Sequence, residues 1–486
     1  MIENLFKDIV KYIPAQIVPG IVGLISIPII TRLFQPGEYG NYILVMATIS
    51  VFSTIVGWLY MPIIRFYPAY DRDKKLEEFY GTILKLTILS ILVLSLIFLG
   101  LLLILRFHIS ERLCTLMWIG LPVFIMTSCF SVLIEFFRAK RQIKWYSIFS
   151  VWKSISTIGF GILLVVALHF SIEGLLLGSL VSLVFAFPFL LKNSIGKVSL
   201  RLKNIYVPLA SELAKYGFPL VIGNLAAWIL SLSDRYVLEL FRGSQEVGIY
   251  SASYAISERS IMLIATLFAL TSGSIVFNIW EKEGKKKSQE FVGEITRYYL
   301  LICTPAAVGL SVLAKPIIVI LTGQEYHGGS KIISIVVFGV FFLGLQQRFH
   351  PGLCFYKKTH FIMLSLIVSG LVNLGLNFLL IPKYGFIAAA ATTLLSYIFL
   401  LVLIVFISRR FFIWKFPFKS LLKATCASGV MGIFVYYVGN NLTFSVLLNL
   451  ILCISIGVTI YFLILTLLRE FSQEEIQMFN FLKKRF

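Results

Sequence analysis

Residues 33–50 read LFQPGEYGNYILVMATIS: a Leu-Phe pair, a polar turn at Pro36 and Gly37, Glu38, and then a long apolar run. Residues 240–257 read LFRGSQEVGIYSASYAIS, the same phrase a second time. Its Glu-x-Gly-x-Tyr element is Glu38, Gly40, Tyr42 in the first copy and Glu246, Gly248, Tyr250 in the second, an offset of 208 positions (38 to 246). The approach to each copy matches too. Lys11-Tyr12 lies 21 positions before Arg32, and Lys215-Tyr216 lies 20 before Arg235. A phrase that recurs together with its approach marks an internal repeat, and what surrounds it decides the fold.

The surroundings are apolar. Hydrophobic residues make up 58% of the 486 and charged residues 14%, with a mean hydropathy of +0.91. Soluble domains are about half apolar and about a quarter charged, so this composition is that of an all-α integral membrane protein. Apolar runs long enough to cross a hydrocarbon core of about 30 Å recur throughout. They predict fourteen spans, near 11–33, 40–66, 80–105, 113–136, 145–168, 172–191, 214–241, 247–280, 292–314, 330–350, 359–381, 385–408, 420–439 and 445–468. Six spans separate the two copies of the phrase, so both halves cross in the same sense. Such a parallel repeat, related by an axis along the membrane normal, is one of the layouts of secondary transporters. The amphipathic start MIENLFKDIVKYIPAQ has no short apolar region ending in a cleavage site, so no removed signal peptide is expected.

Lys and Arg fall in alternate gaps between spans. The rich gaps hold Arg72, Lys74 and Lys75; Arg138, Lys140, Arg141 and Lys144; Lys192, Lys197, Arg201 and Lys203; Lys282 and Lys285–Lys287; Lys357 and Lys358; and Arg409, Arg410, Lys415 and Lys419. Lys7 and Lys11 at the start, and Arg469, Lys483, Lys484 and Arg485 at the end, belong to the same set. The other gaps hold only Arg106, Arg112, Arg242, Lys315, Lys331 and Lys383. This asymmetry predicts both termini in the cytoplasm, consistent with an even span count. The net charge of +20 is then mostly a basic face toward anionic lipid, and nucleic-acid binding is not implied. The six cysteines are scattered without a C-x-x-C and read as small apolar residues.

Several phrases, in order along the chain, resemble a known family: TRLFQPGEYGNY, RFYPAY, SDRYVLELFRGSQEVGIYSASYAIS and KYGFIAAAATTLLSY. They resemble the polysaccharide (O-antigen type) flippases of the multidrug/oligosaccharidyl-lipid/polysaccharide exporter superfamily. The resemblance implies two six-helix lobes (1–203 and 204–410), then two peripheral helices and a tail (411–486). It also implies alternating access that carries an undecaprenyl-pyrophosphate-linked oligosaccharide to the outer leaflet of a bacterial cytoplasmic membrane. Glycan polymerase or assembly proteins are the implied partners, besides membrane lipids.

Such a cargo carries phosphate charge, which cannot cross hydrocarbon without fixed cations. Charges inside spans are therefore candidate site residues. Arg259 lies about 18 Å into the eighth span and Lys153 about 12 Å into the fifth, taking ~1.5 Å per residue. Glu258 adjoins Arg259, although neighbouring helical residues point apart. Arg65, Glu135 and Arg348 fall at inner ends, where cavity mouth and interfacial anchor are both open readings. Arg32, Asp234 and Arg235 fall near outer ends, with Arg235 and Glu239 spaced for a local pair. Asp234 and Glu258 are candidates for coupling to H+ or Na+. Asn224, Gln346, Gln347, Asn373 and Asn377 suit either sugar hydroxyls or helix–helix bonds.

Catalysis and cofactors are not expected. The Asp-x-Asp at 71–73 sits in the charged loop YDRDKKLEEF with no nucleotide-binding domain around it. There is no P-loop signature, and the five histidines are dispersed without H-E-x-x-H. A polymerase or ligase would carry a larger outward loop. A cation-coupled drug exporter would want an acidic cavity, whereas this chain buries arginine and lysine. Export of a peptidoglycan precursor stays open beside export of another lipid-linked glycan.

Overall fold

The computed structural model describes residues 2–196, 206–473 and 475. The boundary expected at 203/204, the basic residues Lys197, Arg201, Lys203, Lys483, Lys484 and Arg485, and the side chains of Lys7 and Lys11 lie outside the described part. Every regular element among the described residues is helical. In order they are α1 (Ile2–Leu33), α2 (Pro36–Val56), α3 (Tyr60–Arg72), α4 (Leu76–Leu105), α5 (Glu111–Ala139), α6 (Ile143–Ala167), α7 (Glu173–Ile195), α8 (Val207–Arg242), α9 (Ser244–Lys282) and α10 (Gly284–Val312). Then follow α11 (Ala314–Leu321), α12 (Ser330–Gln346), α13 (His350–Phe355), α14 (His360–Ser408), α15 (Phe418–Asn441) and α16 (Val446–Leu467).

Twelve helical stretches among the described residues are long and apolar enough to span a membrane. One of them, α14, is two helices joined at Gly385, whose φ of 59° and ψ of −143° break the spiral. With α9, 39 residues long, the set is consistent with the fourteen spans read from sequence. The apolar surface suits lipid: Leu96 and Ile104 of α4 are 61% and 67% exposed.

Local chemistry sets the ends and breaks. Pro36 opens α2 at a position whose N–H would be unpaired anyway. The Ser110 hydroxyl accepts from the Leu113 amide and caps α5. Two 3-10 turns interrupt spans, at Gly57–Leu59 and Gln347–Phe349. Each precedes a proline, Pro62 and Pro351, which cannot donate to the carbonyl four residues back. The first break ends immediately before Tyr60 and the second contains Arg348, so each changes the direction in which a cavity-lining residue leaves the helix.

The chain divides into two compact units, Met1–Ser251 with Leu366–Gly385, and Ala252–Ser365 with Phe386–Phe486. In the first, α6 packs on α7 through Gly161 and Gly178, and Tyr80 is buried against Phe79 and Phe136. Arg112 of α5 ties three elements at one end, bonding Glu38 at 3.0 Å, Glu173 and Ser171. In the second, α10 packs on α15, Tyr461 donates to the Leu301 carbonyl at 2.7 Å, and Trp280 stacks on Phe355 at 4.3 Å.

Candidate functional site

Lys153 lies ten residues into α6, about 15 Å along the helix axis. It borders a cavity of about 320 Å³ within the first unit. Eight hydroxyl-bearing residues share that lining: Ser50, Ser53, Thr54, Tyr60, Thr127, Ser131, Thr157 and Ser179. No acid is among the lining residues. The 3-10 turn brings Tyr60 back so that its hydroxyl donates to the Ser53 carbonyl at 3.3 Å, and Ser53 meets Ser128 at 3.3 Å. The Lys153 ammonium stands 5.2 Å from the Phe130 ring centroid. Among the described residues it has no hydrogen bond or ion pair. A cation ringed by hydroxyls, with no carboxylate, is a site that favours an anion.

The second unit holds a comparable arrangement around Arg348. A cavity of about 410 Å³ is bordered by Arg348, Gln346, Gln347, His350 and Ser272. Arg348 is 6% exposed, so it is a buried residue and not an anchor at the water interface. Its guanidinium lies 5.3 Å from the Tyr299 ring centroid and 5.9 Å from that of Phe268. It donates one bond, 3.3 Å long, to the Ala265 carbonyl of α9, and its Nε has no partner. Aromatic faces partly offset the cost of burying this cation, yet its buried Nε–H is left without a partner. Arg259 is on the same helix as Ala265, six residues earlier and about 9 Å along the axis. It is half-buried and, among the described residues, has no hydrogen bond or ion pair.

The other basic candidates are engaged differently. Arg235 bonds Asp234 at 2.9 Å and the Ser231 carbonyl at 2.8 Å, and lies over the Tyr250 ring at 5.4 Å. Tyr250 also donates to Asp234. This corrects the expected Arg235–Glu239 pair: Glu239 keeps a buried carboxylate oxygen without a partner, because Tyr250 and Asp234 offer Arg235 a better-enclosed position. Glu135 pairs with Arg138 at 2.9 Å. Arg32 is exposed and bonds the Pro28 carbonyl at 3.1 Å. Arg65 is exposed and sits 5.2 Å from the Tyr216 ring centroid. Asn373 and Asn377 bond each other at 3.0 Å along one helix, and Gln346 bonds His350 at 2.6 Å.

Sequence reasoning missed the hydroxyl lining of the Lys153 cavity and the aromatic cradle of Arg348. Single Ser and Thr residues on separate spans leave no pattern until the helices pack. The prolines at 62 and 351, each within five residues of a turn start, were the available signal for both breaks. It also missed Arg297, which binds Glu470 at 2.7 Å and Glu475 at 2.8 Å and so ties the segment after α16 to α10. Among the described residues no group of three or more His, Cys, Asp or Glu is arranged to hold a metal.

Residues 5–272 match a family described as polysaccharide biosynthesis protein, and residues 219–379 match the MatE family. The chain is 27% identical over 259 residues to an uncharacterised membrane protein of Methanocaldococcus jannaschii, covering 52% of this chain and 50% of that protein. It is 25% identical over 328 residues to the probable low-salt glycan biosynthesis flippase Agl15 of Haloferax volcanii, covering 64% of this chain and 65% of that one. The alignments thus span between half and two thirds of these relatives. In fold, it is similar to the lipid II flippase MurJ in an inward closed conformation, with a TM-score of 0.74, 19% identity and coverage of 94% and 98%. It is also similar to an inward-facing multidrug resistance MATE transporter, with a TM-score of 0.65, 13% identity and coverage of 81% and 94%.

Proposed function

Because the chain belongs to the polysaccharide biosynthesis protein family, whose fold is that of the multidrug/oligosaccharidyl-lipid/polysaccharide transporters, we propose that it flips a lipid-linked oligosaccharide across a membrane by alternating access. The carrier in this reading is a polyprenyl pyrophosphate, undecaprenyl pyrophosphate in a bacterium. The proposed working parts are two six-helix lobes, 1–203 and 204–410, with 411–486 peripheral.

One observation carries the reading: the deep cations divide into paired and unpaired. Arg235 is neutralised by the Asp234 carboxylate. Lys153, Arg259 and Arg348 are not, among the described residues, and two of them border cavities. An uncompensated charge inside a span is costly, and an anionic cargo is what offsets it. Arg suits a pyrophosphate by bidentate bonding and Lys by point charge. The outer-end Arg32 and the inner-end Arg65 belong to this proposal as entry or exit contacts, whereas the outer-end Arg235 is engaged by Asp234.

The match to the MatE family favours a second reading, cation-coupled drug export. The cavities described above lack the acids such a cargo needs. Coupling to H+ or Na+ at Asp234 or Glu258 remains compatible with either cargo. The deciding experiment is surface glycan per membrane-inserted molecule in cells relying on this chain. Lys153→Ala, Arg259→Ala and Arg348→Ala should each lower it at least tenfold, about 1.4 kcal/mol of lost stabilisation, at normal insertion. Wild-type export by all three would remove the reading.

A further inference from the structure

The hydroxyls around Lys153 divide into two sets. Thr54 donates to the Ser50 carbonyl at 2.8 Å, Ser179 to the Leu175 carbonyl at 3.0 Å and Tyr60 to the Ser53 carbonyl. Those protons are taken by nearby backbone. Ser50 of α2, Thr127 of α5 and Thr157 of α6 line the same cavity, and their hydroxyls have no hydrogen bond among the described residues. Thr157 follows Lys153 by one helical turn, so the ammonium and that hydroxyl share a face of α6. All four residues are half-buried.

The unengaged groups are donors. An ammonium carries three N–H bonds to give and each hydroxyl one O–H. No carboxylate lines the cavity, and its walls come from α2, α3, α5, α6 and α7, all in the first unit. A pyrophosphate tethered to a polyprenyl chain on one side and a sugar on the other needs a site with room for both. A monatomic anion needs neither. It accepts N–H and O–H donors from any direction, and about 320 Å³ holds it together with water.

We infer that the Lys153 cavity is a chloride site, with chloride as the countercharge of Lys153 whenever no cargo is bound. The exchange of chloride against cargo rests on the transporter reading, and the inference adds the occupant of the unloaded site. An ammonium inside a span is costly without a partner, and a transporter that has released its cargo keeps that ammonium. Chloride offsets the charge, accepts from the Ser50, Thr127 and Thr157 hydroxyls, and leaves when a phosphate arrives. The Phe130 ring, 5.2 Å from the ammonium at its centroid, adds a weaker attraction that persists in both states.

The test uses the purified full chain in detergent, without cargo, in sodium chloride or sodium gluconate at equal ionic strength. Chloride should raise the melting temperature saturably, by a few degrees, and gluconate should not. Lys153→Met should abolish the rise, and Thr157→Val should need several-fold more chloride to reach half of it. Lys192→Met removes an exposed charge on α7 and should keep the wild-type midpoint. Equal melting in the two salts, or a full chloride response in Lys153→Met, overturns the inference. Stabilisation by inorganic phosphate with none by chloride overturns it too. If Lys153→Met fails to fold, equilibrium binding of radioactive chloride replaces it. Wild-type protein should then bind chloride saturably and Thr157→Val several-fold more weakly, and absent or unaltered binding overturns the site. Chloride is read without cargo, so failed glycan export beside a saturable chloride response counts against the cargo alone.

Discussion

At Arg235 and Arg348, the same side chain carries two opposite expectations. Asp234 is 1% exposed and depends on Arg235 for its countercharge. Arg235→Ala therefore strands a buried carboxylate, at a cost of about 3–5 kcal/mol, and should lower the amount of folded protein in membranes, read by fluorescence-detected gel filtration. Among the described residues Arg348 pairs with no carboxylate that its loss would strand. Arg348→Ala should keep abundance near wild type and lose export, while Arg348→Lys should retain part of it, since lysine lacks the planar fork and stacks less well on Tyr299 and Phe268. Position along the chain was enough to single out Arg235, Arg348, Lys153 and Arg259, because ionisable residues inside apolar runs are few. Their partners were not legible. Helical spacing suggested Glu239 for Arg235, and tertiary packing supplied Asp234 and Tyr250.

The clasp on α10 makes an element-scale prediction about acid. Arg297 binds Glu470 and Glu475, Ser420 and Lys423 add to Glu470, and Tyr298 donates to Glu475. The hydrogen bond from Arg297 holds the Glu475 carboxyl down at about 2, below the ordinary glutamate value of about 4.3. A depressed carboxyl stabilises the folded arrangement above its unfolded value and ceases to as pH falls through the folded one. The segment after α16 should thus stay docked from pH 8 to about 5 and release between about 4 and 2, measured as hydrogen exchange at residues near 470. Arg297→Ala should release it at neutral pH. Helix positions were read well from hydropathy, since a span has to match the bilayer. The breaks at 57–59 and 347–349 were not, because hydropathy is blind to a missing N–H, and only Pro62 and Pro351 marked them.

Over the whole molecule, the repeat and the basic-residue asymmetry predict that reporters fused near residue 325 and near residue 109 sit outside, with both termini inside. A cytoplasmic reporter at 325 would put the span count out of phase. The parallel repeat was legible because its phrase includes glycines that packing cannot replace. What lines each cavity was not, since it depends on residues from several helices meeting. The measurement that bears most directly on the proposed activity is flipping in proteoliposomes. Purified protein would be reconstituted with a polyprenyl-pyrophosphate-linked oligosaccharide, and the glycan reaching the far leaflet followed without ATP. Wild-type protein should move it, and the Lys153→Ala, Arg259→Ala, Arg348→Ala triple variant, equally inserted, should not. Equal flipping by the two, or none by the wild type under an imposed membrane potential, H+ gradient or Na+ gradient, would contradict the account.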